Sequence, residues 1–173
     1  MTMSPGVRKF ALTAHVVSSV GWLGAVASTT ALAVVALTSD DLQLVRAAYL
    51  ALEATGWFAL VPLSLASLLT GLIQSLGTTW GLLRHYWVLF KLLINVVASI
   101  VLLLYMETLG FFADIAAQAT WSSADLGVLR SPSPMLHASA LVLLVVAATL
   151  SVYKPRGMTR YGWRKQRELL AGT

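Results

Sequence analysis

Residues 86–112 read YWVLFKLLINVVASIVLLLYMETLGFF, a stretch in which only Lys91 and Glu107 are charged. A helix of about 20 predominantly apolar residues crosses the hydrocarbon core of a bilayer. Lipid offers no hydrogen-bond partner to the backbone, so an apolar stretch of this length has to be helical. The stretch therefore predicts a transmembrane helix.

Three further stretches meet the same criterion, at residues 10–37, 47–76 and 134–153. Composition agrees, because 58% of the residues are apolar, 11% are charged and the mean hydropathy is +0.79, whereas about 25% of the residues of a soluble domain are charged. We expect an all-α fold, an integral membrane four-helix bundle that forms a single transmembrane domain over residues 1–173. Residues 154–173 form a basic tail.

Lysine and arginine residues concentrate on one side of the predicted spans. If the N-terminus is inside, the inner flanks hold nine of them: Arg8, Lys9, Arg84, Lys154, Arg156, Arg160, Arg164, Lys165 and Arg167. The outer loops hold two, Arg46 and Arg130. Because basic flanks stay in the cytoplasm, we predict that the N-terminus and the C-terminus are both cytoplasmic.

The basic tail also contains Tyr161 and Trp163 between its charges. Such a pattern is compatible with a nucleic-acid patch, but Trp and Tyr also lie at headgroup depth and basic residues attract anionic lipid. We interpret the tail as an anchor on the lipid bilayer and expect no nucleic-acid partner.

The chain contains no cysteine, which excludes disulfides, thiolate metal sites, iron–sulfur clusters and a cysteine nucleophile. No phosphate-binding loop, zinc-ligand cluster or nucleophile–base pair is evident. The sequence therefore does not indicate a hydrolase or a transferase.

An imidazole and an ammonium group fall at similar predicted depths in the inner leaflet. His15 lies six residues beyond Lys9, and Lys91 lies seven residues beyond Arg84. At about 1.5 Å per residue these depths are about 9 and 10 Å. Ionisable side chains inside a span are costly and are functional candidates by default.

The pair is compatible with one haem, held by His15 as axial ligand. Lys91 is then either a second ligand, as a neutral amine, or the charge partner of a propionate. Trp22 continues the His15 face of its helix and Asn95 lies one turn beyond Lys91, so both are candidates for the same site. Two structural alternatives stay open: His15 hydrogen-bonds a neighbouring helix, and Lys91 extends to the membrane surface.

A second polar set lies toward the outer side and consists of Glu53, Glu107 and His137, with Met106 and Met135 nearby. His15 and His137 differ by roughly 16 Å in depth, whereas the two axial ligands of one iron lie about 4 Å apart. The two histidines therefore do not share an iron.

His137, Met135, Met106 and Glu53 instead form a candidate copper site, since imidazole and thioether groups are suitable ligands for Cu(I). A copper-handling membrane protein is one alternative function. A cofactor-free structural or accessory membrane subunit is the other.

Several residues follow a recognisable order along the spans: His15, Trp22 and Gly24, then Trp87 and Lys91, then Arg130 and Pro134, then Lys154 and Pro155. This order resembles the HemJ-type protoporphyrinogen oxidases, four-helix membrane proteins of bacteria, and also the copper-resistance D-like membrane proteins. The HemJ pattern has Asn-Glu between the arginine and the proline, where this chain has Ser131, Pro132 and Ser133.

The resemblance implies that His15 and Lys91 are the catalytic pair at a haem b or porphyrin site to which Trp87 contributes. The implied activity is that of a membrane oxidoreductase that acts on a porphyrin-like substrate, with a membrane acceptor such as a quinone. The implied location is the bacterial inner (plasma) membrane. We expect the chain to assemble as a homo-oligomer.

Overall fold

The structure is a computed structural model that describes residues 3–77, 82–118, 120–131, 136–153 and 157–171. These residues form helices, which in chain order are α1 (Pro5–Thr38), α2 (Leu42–Gly77), α3 (Tyr86–Ala117), α4 (Ser123–Leu129), α5 (Leu136–Tyr153) and α6 (Arg160–Ala171). Helices α1, α2, α3 and α5 are long and apolar enough to cross a membrane. The predicted all-helical class is confirmed, and so is the prediction of four helices that are long and apolar enough to cross a membrane.

The long helices extend beyond the predicted bounds. Helix α1 begins at Pro5 instead of residue 10, because proline suits the first helical position, where its missing N–H has no intrahelical partner to lose. Helix α2 begins at Leu42 instead of residue 47, because the Asp41 side chain accepts hydrogen bonds from two amides of the first turn, at 2.9 and 3.4 Å. Helix α5 is described from Leu136, and its predicted start at residue 134 lies outside the described residues.

Two short helices, α4 and α6, were not predicted. Helix α4 begins with a capping box in which the Ser122 hydroxyl accepts from the Asp125 amide at 3.2 Å and the Asp125 carboxylate accepts from the Ser122 amide at 2.7 Å. These hydrogen bonds hold the pKa of Asp125 below its ordinary value. Helix α6 occupies most of the segment that was interpreted as a basic tail.

The four long helices form a closed ring in the order α1, α2, α3, α5. Helix α1 packs against α2 and α5, and α3 packs against the same two helices. Helices α1 and α3 are therefore diagonal neighbours that face each other across the bundle axis. This arrangement allows side chains of the first and third spans to point into one central space.

Helix α2 contains a π-helical turn, Gly56–Leu60, which ends two residues before Pro62. The Val61 amide donates to the Gly56 carbonyl five residues earlier, and Pro62 has no amide hydrogen to donate. The extra residue in this turn rotates the following part of α2 relative to the preceding part. That following part carries the residues that face α1 in the candidate site.

The end of the bundle that holds α4 is closely packed. Leu129 of α4 is fully buried in an apolar cluster with residues of α1, α2 and α3. The buried Tyr49 hydroxyl donates to the Leu129 carbonyl, and the Tyr49 ring stacks on Phe112 at 5.4 Å between centroids. Arg46 donates to the Gln118 carbonyl at 2.8 Å and so caps the end of α3.

The other end of the bundle, here called the basic end, carries Arg8 and Lys9 near the start of α1, together with the end of α2, the start of α3 and helix α6. The Met3 amide donates to the Gly77 carbonyl at 3.3 Å, which ties the start of α1 to the end of α2. At this end the four long helices enclose a cavity.

Candidate functional site

The cavity at the basic end has a volume of about 780 Å³ and is lined by residues of α1, α2, α3 and α5. Pockets for small molecules and cofactors have volumes of about 300–1,000 Å³. Small side chains provide the space, since Ser19, Ser67, Gly71, Ala147 and Ser151 all lie on its wall. The basic end is therefore open enough for a ligand, whereas the opposite end is filled by large apolar side chains.

His15 projects from α1 into this cavity and is held by α2. Its Nδ1 atom lies 3.2 Å from the Ser67 carbonyl oxygen and 3.1 Å from the Thr70 hydroxyl oxygen. A carbonyl only accepts, and the Thr70 hydroxyl donates to the Ala66 carbonyl at 2.6 Å. Nδ1 therefore carries the proton and donates it to α2. Nε2, which makes no hydrogen bond to a described residue, keeps its lone pair.

A close approach of α1 and α2 makes this hydrogen bond possible. Gly71 lies directly under the His15 ring, and a Cβ atom at this glycine would be 3.1 Å from His15 Cε1. The Ser19 and Ser67 hydroxyls hydrogen-bond at 2.8 Å between the same helices, and the Gln74 side-chain amide donates to the Ala11 carbonyl at 2.9 Å. The orientation of the His15 ring is thus fixed by several contacts along one helix pair.

Helix α3 contributes Lys91, Asn95 and Trp87 to the cavity wall. Lys91 and His15 line the same cavity from different helices. Asn95 is buried, with 8% of its surface exposed, and its side chain makes no hydrogen bond to a described residue. Buried amides normally have hydrogen-bond partners, so Asn95 offers donors and an acceptor to a ligand in the cavity.

Trp22 lies on the cavity wall where the packed part of the bundle begins. Its side chain is 3% exposed and packs in an apolar cluster with Leu60 and Leu144. Gly24, which follows Trp22 in the order that resembles HemJ, has open space around it, because a Cβ atom there would have no neighbour within 4 Å.

Arg8 and Lys9 also line the cavity, together with Lys91. None of the described residues on the wall is acidic. The cavity therefore combines apolar walls with a cationic end. In the sequence, Arg8 and Lys9 are recognisable only as charges that flank the first span. The residues of α2 that hold His15 had no chemical signature beyond the four-residue spacing of Ser67, Gly71 and Ser75.

The outer set lies elsewhere in the bundle. His137 is buried, with its ring edge-on to Tyr105 at 5.4 Å, and it is not on the cavity wall. Met106 packs in the apolar cluster, in contact with Gly56, and Glu107 is exposed.

The remaining candidates for copper are Glu53, which is partly buried near Gly110, and Met135, which lies outside the described residues. Within the described part of the chain, no three or more His, Asp or Glu side chains are grouped so that they could hold a metal ion. His85, the third histidine, precedes α3 and packs against Trp87 with 6.5 Å between ring centroids.

Comparisons of the chain with protein-family models, with curated proteins and with solved structures give no match. The function proposed below therefore depends on the geometry of the cavity.

Proposed function

We propose that this protein is a multi-pass membrane protein that binds a b-type haem or a related porphyrin in the cavity at its basic end. The observation that carries the proposal is the hydrogen bond from His15 Nδ1 to the Ser67 carbonyl. Histidines that bind metals commonly donate their other ring N–H to a carbonyl or carboxylate, which fixes the tautomer and the ring orientation. His15 has this arrangement, and its Nε2 lone pair is available for an axial bond to iron.

The charge distribution of the cavity supports the same class of ligand. A porphyrin is a large apolar ring system with carboxylate side chains, and this cavity combines apolar walls with Arg8, Lys9 and Lys91. A guanidinium group binds a carboxylate through two parallel hydrogen bonds, and an ammonium group binds it as a point charge. In this proposal Lys91 neutralises a propionate or acts as a second ligand, and Arg8 and Lys9 bind carboxylates closer to the surface.

Trp22, Trp87 and Asn95 would complete the binding site. The Trp87 indole would provide flat apolar surface for a macrocycle, and the buried Trp22 would form part of the apolar wall. The Asn95 amide would hydrogen-bond to a polar group of the ligand. When bound, the haem would supply one-electron redox chemistry, while the chain supplies ligation, orientation and exclusion of water. If the protein is an enzyme, we propose a membrane oxidoreductase that acts on a porphyrin-like substrate, with a quinone as a suitable acceptor.

The orientation follows from the positive-inside rule. The basic end carries most of the arginine and lysine residues, so it would face the cytoplasm, with both termini on that side and the bacterial inner membrane as the location. The cavity would then open toward the inner leaflet.

The first prediction concerns His15 and His137. We expect His15→Ala to abolish the Soret band of the purified, haem-loaded protein, because this substitution removes the axial nitrogen. His137→Ala should retain the band, because His137 lies outside the cavity. Absorption spectra of oxidised and dithionite-reduced protein, with size-exclusion profiles to verify folding, make the comparison. An unchanged Soret band in His15→Ala would contradict the proposal.

The second prediction concerns Lys91. Hydrogen bonds to charged groups contribute about 1.5–3 kcal/mol, so Lys91→Met should weaken haem binding by about ten- to a hundredfold with little loss of thermal stability. Lys165→Met removes a lysine from α6, away from the cavity wall, and serves as the control. Haem titrations followed at the Soret maximum measure both affinities. Equal affinities for wild type and Lys91→Met would show that the lysine only extends to the surface.

The third prediction uses Gly71, whose missing side chain leaves room for the His15 ring. Leucine at this position would displace the His15 ring, since even its Cβ atom would lie 3.1 Å from Cε1. Loss of such supporting contacts typically lowers metal affinity by about ten- to a hundredfold. Gly24→Leu makes the same change in open space on α1 and should retain wild-type affinity. The same haem titration tests the pair, and equal losses in both variants would refute the role of the α1–α2 contact.

A further inference from the structure

A short segment at the start of α6 clamps the loop that precedes α3. The Thr159 amide donates to the Arg84 carbonyl at 2.9 Å, and the Thr159 hydroxyl donates to the Leu83 carbonyl at 2.5 Å. The same hydroxyl accepts from the Gly162 amide at 3.0 Å and so caps α6. Gly162 allows the contact, because a Cβ atom there would lie 2.5 Å from the Arg84 carbonyl oxygen. Helix α6 is thus fixed where α3 begins, at the end of a membrane-crossing helix.

One face of α6 carries three arginines and a tryptophan. Arg160, Trp163, Arg164 and Arg167 follow the spacing of a helix face and line a surface groove of about 570 Å³. Trp163 is 54% exposed. Lys165 does not line this groove and is paired with Glu168 at 3.0 Å. The groove therefore carries positive charge that no described residue on its wall neutralises.

We propose that this groove binds the phosphate headgroup of an anionic phospholipid. Guanidinium groups bind phosphate through paired hydrogen bonds, and an exposed indole lies favourably at headgroup depth. The site would lie at the level of the bilayer surface, since the clamp joins it to the start of α3 and only six residues of sequence separate α6 from the end of α5. Acidic lipids of the same leaflet have the required charge and are within reach.

A defined headgroup site is a more specific proposal than a general electrostatic attraction of the basic tail to the membrane. It assigns headgroup binding to the arginine face of α6 and excludes Lys165 from it. It also does not depend on haem binding, because its residues are separate from those of the cavity.

Native mass spectrometry of the full-length protein in an uncharged detergent tests the proposal. We expect the first phosphatidylglycerol to bind at least about tenfold more tightly than phosphatidylcholine. Arg164→Gln should weaken the binding of phosphatidylglycerol by about tenfold. Lys165→Gln removes the same charge from the same helix and should change this affinity less than about twofold. Thermal melting of both variants verifies that they remain folded.

Three outcomes would overturn the proposal. Equal losses in Arg164→Gln and Lys165→Gln would indicate diffuse attraction without a site. Displacement of phosphatidylglycerol by millimolar inorganic phosphate would indicate a site for free phosphate. Tighter binding of a duplex oligonucleotide, with the same dependence on Arg164, would indicate a nucleic-acid surface.

Discussion

The candidate site depends on one hydrogen bond, from His15 Nδ1 to the Ser67 carbonyl at 3.2 Å. Leaving the N–H of a partly buried imidazole without a hydrogen-bond partner costs free energy, so the ring donates to α2. A helix carbonyl can accept a second hydrogen bond through its other lone pair, and the missing side chain of Gly71 lets the ring approach it. Because Nδ1 donates this hydrogen bond, Nε2 is the nitrogen that keeps a lone pair for binding a metal.

The two ends of the bundle have different physical roles. The end near α4 is filled by large side chains such as Tyr49, Leu52 and Phe112 and holds the helices in a fixed arrangement. The basic end has small and polar side chains on the same helices, which leaves space along the bundle axis. The cavity and the Asn95 amide, which has no hydrogen-bond partner among the described residues, are both available to a ligand. This is the physical reason to regard the cavity as a binding site.

Much of the fold could be predicted from hydropathy, because crossing a bilayer requires long apolar helices. The helix ends are predicted less accurately, because they depend on local caps such as Asp41 and on Pro5 at the first helical position. Helices α4 and α6 were missed because they are short and not apolar throughout. The Ser122 to Asp125 spacing is a capping signal that would have indicated α4.

Counting residues from the flanking charges identified His15 and Lys91, which line one cavity in the structure. The same counting could not identify the Ser67 carbonyl or Thr70 as partners of His15. Such pairing depends on the rotation of α2 about its axis, which the π-helical turn before Pro62 changes. The position of a residue along a helix can be predicted from sequence, whereas the rotation of one helix relative to its neighbours depends on packing.

Histidine-selective ¹⁵N NMR of the haem-free protein tests the central claim most directly, with His15→Gln used to assign the resonances. The geometry predicts that near neutral pH His15 is a neutral imidazole with its proton on Nδ1 and a lone pair on Nε2. A proton on Nε2 alone, or on both nitrogens, would contradict the account, because Nε2 would then have no lone pair to bind a metal.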